Sequence, residues 1–265
     1  GKIILLTGAF GLIGSTLGDS LLSQCANVIL ADTNKRKAEQ ITLYLKKAGF
    51  AKNSLVIVTD VTKLKSCNDC IAAAVKKFKS IDVLINNAAI DAKFDKQANA
   101  VNNATRFENF PLDKLQQSFD VNVKGLMQIT QLVIKQMLKQ GYGNIINVAS
   151  TYSLVAPNQS LYDFGTDNQQ YKPVDYVITK SVIPNLTKYI ATFYAKDNIR
   201  CNAIAPHGIF NNHETAFLNN FSKLSPMGRM SDKSEMTGPF TFLASDASSY
   251  MTGSVLTVDG GWTAW

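Results

Sequence analysis

Seven short apolar runs, alternating with stretches of helical periodicity, set the tightest limit on how this chain can fold. The runs are Ile3–Leu6, Val28–Ala31, Leu55–Val58, Val83–Ile85, Asn144–Val148, Arg200–Ile204 and Val255–Val258. Between them lie amphipathic segments such as Asp113–Gln140, where Leu115, Phe119, Val123, Leu126 and Ile129 recur at helical spacing. Strands and helices that alternate in this way bury both faces of a parallel sheet, because every crossover lays a helix on one face or the other. The expected fold class is therefore α/β, a doubly wound parallel sheet of about seven strands with helices on both faces. No internal repeat, low-complexity tract or Pro/Gly-rich linker divides the chain, so residues 1–265 read as one domain. Three segments that follow strands, 90–110, 151–172 and 207–231, are too long for ordinary connections. Ligands of a doubly wound sheet bind outside the carboxyl ends of its strands, so these segments are expected to gather round a substrate.

Composition removes several other readings. No apolar run reaches the roughly 20 residues that a membrane-spanning helix needs, and no charged-then-apolar leader stands before the first run. A cytoplasmic chain with no membrane partner is expected. The net charge is +7, from 27 basic and 20 acidic residues. Its lysines are scattered along helical faces (Lys46, Lys47, Lys76, Lys77) instead of forming a basic stripe with interleaved aromatics, which argues against nucleic acid. A mild attraction to anionic ligands, such as a dinucleotide or a phosphorylated substrate, remains. Cys67 and Cys70 form a C-x-x-C without a second pair. They read as two thiols one turn apart on a helix, and no metal site is expected.

The first run leads into Thr7-Gly8-Ala9-Phe10-Gly11-Leu12-Ile13-Gly14. Glycines placed there permit a tight turn, close approach to a pyrophosphate, and close packing of a helix whose N-terminus faces the phosphates. The second run ends in Asp32, about twenty residues on, where a carboxylate meets both adenosine-ribose hydroxyls and repels a 2′-phosphate. Its other reading is the cap of the next helix. NAD is accordingly expected over NADP, with Lys35 and Arg36 the groups that argue the other way. Tyr176 and Lys180 stand four apart, which on a helix puts them on one face. A free tyrosine ionises near pH ~10. A neighbouring cation favours the phenolate and draws that value toward working pH, where acid–base catalysis is most effective. Such a pair is common on solvated helices, and its position after a strand ending near Ser150 is what gives it weight.

Taken in order, these pieces resemble the short-chain dehydrogenase/reductase family over essentially the whole chain. They are the T-G-x-x-G-x-x-G turn, Asp32, Thr59-Asp60-Val61, Asn86-Asn87-Ala88-Ala89, Asn122-Val123-Lys124-Gly125, Ser150, the Tyr176/Lys180 pair, Asn202-Ala203-Ile204-Ala205-Pro206 and Val258-Asp259-Gly260-Gly261. The resemblance implies a Rossmann-type fold and an oxidoreductase that moves a hydride between a nicotinamide and an alcohol or carbonyl group. It implies Tyr176 as proton donor or acceptor and Ser150 on the substrate oxygen. Lys180 would hold the nicotinamide ribose and lower the tyrosine pKa, and Asn122 would anchor a relay water. It places the cofactor against Gly8, Phe10, Gly11, Leu12, Ile13, Asp32, Asp60, Val61, Asn87, Ala88, Tyr176, Lys180, Pro206 and Ile209. A homo-tetramer or homo-dimer is also implied. A non-catalytic dinucleotide sensor or scaffold on the same fold is the alternative, and the intact Asn122, Ser150, Tyr176, Lys180 set argues against it.

The chain departs from the family pattern at Leu12, at Ala89, at His207 and between Ser150 and Tyr176. Leu12 and Ala89 stand where glycine is usual. His207 replaces the glycine after Pro206, puts the backbone path there in doubt, and is read as an ordinary loop residue. The gap between Ser150 and Tyr176 is long and carries an amide- and carboxylate-rich insert at 157–170, read as part of a substrate lid. With Asp95, Gln97, Asn99, Asn102, Asn103 and Arg106 in another long segment, it points to a small polar, sugar-derived substrate. More loosely, residues 150–157 and 261–265 resemble a bacterial subgroup associated with flagellin modification and sugar-acid biosynthesis.

Overall fold

The computed structural model describes residues 1–91, 104–163 and 170–265. Every expected run is a strand: β1 (Ile3–Thr7), β2 (Asn27–Asp32), β3 (Ser54–Val58), β4 (Val83–Asn86), β5 (Gly143–Val148), β6 (Ile199–Pro206) and β7 (Val255–Val258). They form one parallel sheet in the order β3-β2-β1-β4-β5-β6-β7. The chain moves outward from β1 to β3, then returns to start β4 on the other side of β1. That reversal opens a crevice between the carboxyl ends of β1 and β4, where a doubly wound sheet binds its ligand.

Strand alternation explains the two layers. In β1 and β2, Ile4, Leu6, Val28 and Leu30 face one side, where Leu17 and Leu21 of α1 (Leu12–Ser23) and Leu45 of α2 (Lys35–Lys47) pack on them. Leu5, Ile29 and Ala31 face the other side, toward α3 (Leu64–Phe78). Cys67 and Cys70 of α3 are fully buried in that second layer, and burial pushes the Cys70 thiol up to about 11. They are core residues, as their spacing indicated.

The helix expected over Asp113–Gln140 is continuous but not uniform. It runs as α4 through Leu112–Phe119, one π turn at Asp120–Gly125, and Leu126–Gln140. A π turn inserts one residue into the ladder and re-aims the side chains on it, and Asn122 lies within this one. Gly125 closes the turn against the end of β3; a Cβ there would stand 2.7 Å from Val61 Cγ2. Beyond β5 come α5 (Val174–Tyr194), α6 (Thr215–Leu224) and α7 (Thr237–Ala244). The long segment 207–231 is thus partly helical. Phe217 and Phe221 of α6 pack with Leu161, Tyr162, Met230 and Trp262 in a small core of their own.

Candidate active site

The turn after β1 is tight because the end of β4 lies directly against it. Gly8 has a φ of +62°, and a Cβ there would come 2.7 Å from Ala88 Cα. Thr7 Oγ1 accepts the N–H groups of Asn87 and Ala88, while Asn87 Nδ2 donates to Thr7 O and Gly8 O at 3.0 and 2.9 Å. Gly14 lets α1 sit on the turn, since a Cβ would fall 2.2 Å from Gly8 O. Helix α1 begins after Gly11, which offers no side chain to cap its first N–H groups. Open donors at a helix N-terminus, beside a crevice and a backbone with no Cβ in the way, fit a pyrophosphate.

Asp32 folds onto this turn. Its Oδ2 accepts the Phe10 N–H at 3.0 Å and its Oδ1 the Asn34 N–H at 3.1 Å. Asn34, whose side chain accepts from Lys37 N, caps α2, so Asp32 is not the cap. The basic side chain at the turn is Lys37, donating to Phe10 O at 3.1 Å, and not Lys35 or Arg36. Asp60 spends Oδ1 on the N–H and O–H of Thr62. Val61 is buried, packed toward Gly125, and its carbonyl accepts from Gln128.

Ser150, Tyr176 and Lys180 converge at the mouth of β5. Ser150 is extended and buried, and its Oγ accepts the Tyr152 N–H at the start of a short 3-10 turn. Its hydroxyl also faces the Tyr176 phenol and favours the ionised form. Lys180 Nζ donates to Val148 O at 2.6 Å and lies 5.8 Å from the Tyr176 ring centre. The sequence led us to expect a tyrosine shifted down by its lysine, and the structure gives the opposite direction. Burial first, then the Asp91 carboxylate, push Tyr176 above its usual value, and burial pulls Lys180 down to about 8. Desolvation disfavours both charged forms and is the largest cause of each shift.

Asn122 is fully engaged. Its Oδ1 accepts the Ile90 N–H at 2.7 Å, and its Nδ2 donates to Ile90 O and Thr179 Oγ1, both at 3.0 Å. It ties the segment after β4 to the helix that carries Tyr176 and Lys180.

These groups open onto a cleft of about 360 Å³. Leu12, Ile13, Asn87, Ser150, Tyr176, Lys180, Pro206 and Ile209, all expected site residues, line it. Of the other expected residues, Gly8, Phe10, Gly11, Asp32, Asp60, Val61, Ala88 and Asn122 are not part of its lining. All three long segments reach the cleft, through Asp91, Tyr152, Lys172 and Phe217.

The agreement between fold, turn and tyrosine pair extends to sequence comparison. The family described as enoyl-(acyl carrier protein) reductase matches residues 8–263. The chain is a short-chain dehydrogenase/reductase. It is therefore an oxidoreductase of the dehydrogenases that act on CH–OH groups. A 7α-hydroxysteroid dehydrogenase of Bacteroides fragilis is 33% identical over 268 residues, 99% of this chain and 94% of its own. Post-translational flagellin modification protein A of Campylobacter coli is 30% identical over 262 residues, 98% of each. A solved gluconate 5-dehydrogenase from Burkholderia cenocepacia, in complex with NADP and tartrate, superposes with a TM-score of 0.83 at 28% identity, covering 100% of this chain and 96% of that one.

Several side chains that line the cleft were not assigned to the site from sequence, Asp91, Lys172 and His207 among them. His207, read as a loop residue, is buried in the cleft wall. Its ring lies 4.1 Å from Trp262 and 5.3 Å from Phe221, and its Nδ1 is 2.5 Å from Thr151 Oγ1. The turn that a glycine after Pro206 would have made occurs one residue later, at Gly208, with a φ of +48°. Lys172 also lines the cleft. Its signal was Pro173, which starts α5 and so leaves Lys172 at the helix mouth, four residues before Tyr176.

The insert is described only in part. Residues 164–169 of it, and Asp95, Gln97, Asn99, Asn102 and Asn103, lie outside the described residues. Within the described part, Leu161 and Tyr162 face the cleft, while the amides serve the backbone. Asn158 caps the 3-10 turn Gln159–Tyr162, and Gln159 Oε1 accepts the Lys172 N–H. Arg106 lies over the Tyr171 ring and pairs with Glu108. Among the described residues, Asp91, Lys172 and His207 bring polar groups to the substrate side of the cleft, and neither Asn158 nor Gln159 lines it.

Proposed function

We propose that this dehydrogenase binds NAD in preference to NADP and interconverts an alcohol and a carbonyl on a small polyhydroxylated, sugar-derived molecule. The observation that supports it most is the opening of Ser150, Tyr176, Lys180 and the α1 turn onto one cleft that also carries an ion pair. When bound, the nicotinamide supplies the hydride or takes it up. Tyr176 handles the proton: its raised pKa keeps the phenol protonated at neutral pH, ready to donate to a carbonyl oxygen. In the reverse direction the phenol oxygen must lose that proton, and Lys180, held at Val148, is the cation beside it. Ser150 donates to the substrate oxygen. Asn122 acts as a positioning residue, and a relay water would have to use its backbone carbonyl, since both side-chain atoms are engaged. One domain carries both cofactor and substrate.

The preference for NAD rests on Asp32, whose carboxylate holds the Phe10 N–H where a 2′-phosphate would bring like charge. Lys37 at Phe10 O is the group that would temper it. A polar substrate is favoured over a steroid because an apolar ring system would leave the remaining Lys172 donors, at a largely buried side chain, unmet. Tyr189 and Phe193 stand 63% and 60% exposed on α5, which supports a homo-dimer or homo-tetramer built on that helix. Four free cysteines fit a reducing cytoplasm, and no described helix is long and apolar enough to cross a membrane. The test is turnover of NAD⁺ with polyols, sugars and hydroxysteroids. Faster turnover of a hydroxysteroid than of any polyol would overturn the substrate class.

A further inference from the structure

Among the described residues, Lys172 and Asp91 are the charged groups of the cleft that the proton transfer above does not use. The side chain of Lys172 is 8% exposed, and Nζ lies 2.6 Å from Asp91 Oδ1. Asp91, on the segment leaving β4, is half-exposed at 52%. Nζ also stands 4.3 Å from the Tyr176 ring centre, closer than Lys180 at 5.8 Å, and 6.0 Å from the Tyr152 ring. The backbone of Lys172 is pinned as well, its N–H donating to Gln159 Oε1 at 2.9 Å. An ammonium has three donors, and among the described residues Asp91 is its only hydrogen-bond partner. Asp91 likewise has a second carboxylate oxygen to offer. Burial of such a pair is costly unless the remaining donors and acceptors are also met.

We propose that Lys172 and Asp91 form the substrate-recognition subsite, which reads a pair of neighbouring hydroxyls next to the carbon that reacts at Tyr176. The proposal rests on the polyol reading and names the residues that carry it out. A hydroxyl is both donor and acceptor, so one can accept from Lys172 while it, or its neighbour, donates to Asp91. No rearrangement is needed, and the pair stays neutral as a unit. A molecule with a single hydroxyl leaves a donor of the largely buried Lys172 ammonium unmet. Sites built to hydrogen-bond a substrate discriminate strongly against analogues that lack the group.

The experiment compares xylitol and sorbitol with cyclohexanol and 2-butanol in the full-length enzyme, with NAD⁺ and in three forms. The wild type should favour the polyols. Lys172→Met keeps the length and apolar stem of the side chain, and kcat/KM for polyols should fall by about 10². Its kcat/KM for the simple alcohols should stay within about threefold, as should its NADH affinity. Asp91→Asn, at a half-exposed position that does not endanger folding, should move the same ratio by about tenfold. Equal losses on polyols and simple alcohols would make Lys172 a partner of Tyr176 and overturn the proposal while the polyol reading stands. A wild type that favours simple alcohols would overturn the polyol reading and the proposal with it.

Discussion

The two halves of the cleft are built by different means. On the cofactor side, backbone does the work: Gly8, Gly11 and Gly14 bring β1, α1 and the end of β4 into contact, and Asp32 fastens the turn through Phe10 N–H. On the substrate side, side chains drawn from three distant segments meet, with Asp91, Lys172, His207 and Phe217 in one wall. A backbone cradle tolerates almost no change at its close approaches. A wall of side chains can be altered one group at a time, and the cost then depends on burial and charge.

The difference is sharpest at glycine. Gly8→Val adds a side chain where φ is +62° and where even a Cβ would lie 2.7 Å from Ala88 Cα. Strain and overpacking of about 3–4 kcal/mol are expected, read as a lower Tm together with loss of NADH affinity. Retained NADH binding would show that the turn does not hold the dinucleotide.

On the other side of the cleft, His207 should set a pH dependence of stability. Burial lowers its pKa to about 4. An unfolded histidine ionises near pH ~6.5. Between these values the unfolded chain takes up a proton that the folded chain refuses, so stability is lost as pH falls from the upper value to the lower. Urea unfolding at neutral pH and at about pH 4.5 should show roughly 2–3 kcal/mol of this loss. His207→Phe should lack that share. An identical acid loss in the variant would remove His207 as its source.

A smaller effect tests the cofactor side by charge instead of shape. Asp32→Asn should raise the NADP-to-NAD ratio of kcat/KM by about tenfold or more, as relief of like-charge repulsion predicts. Lys37→Ala should push the ratio the other way. An unchanged ratio in Asp32→Asn would mean that the carboxylate only braces the turn. Smallest should be Tyr162→Phe, which removes the 3.0 Å contact between the Tyr152 and Tyr162 hydroxyls. About 1 kcal/mol of stability and a modest rise in substrate KM are expected, with NADH affinity unchanged.

The same contrast explains what could be read from sequence. All seven strands were legible because apolar periodicity reports a buried sheet directly. The glycine turn and Asp32 were legible because backbone constraints leave a local signature. Tyr176, Lys180 and Ser150 meet in one cleft as their order in the chain led us to expect, but the direction of the tyrosine shift was not legible, because desolvation depends on everything that packs around the site. The π turn at Asp120–Gly125 and the pairing of Lys172 with Asp91, 81 positions apart, are tertiary facts with no local pattern. His207 was placed on the right loop and misjudged because its stacking on Phe221 and Trp262 comes from later segments.

Substitution of Tyr176 by phenylalanine tests the central claim most directly. The ring, its place beside Lys172 and Lys180, and the dinucleotide cradle all remain, and only the hydroxyl is lost. Turnover of the best substrate should fall by at least about 10², while NADH, followed by fluorescence titration, should bind as tightly as in the wild type. Turnover within a few-fold of wild type would contradict the account, because the proton would then travel through another group in the cleft.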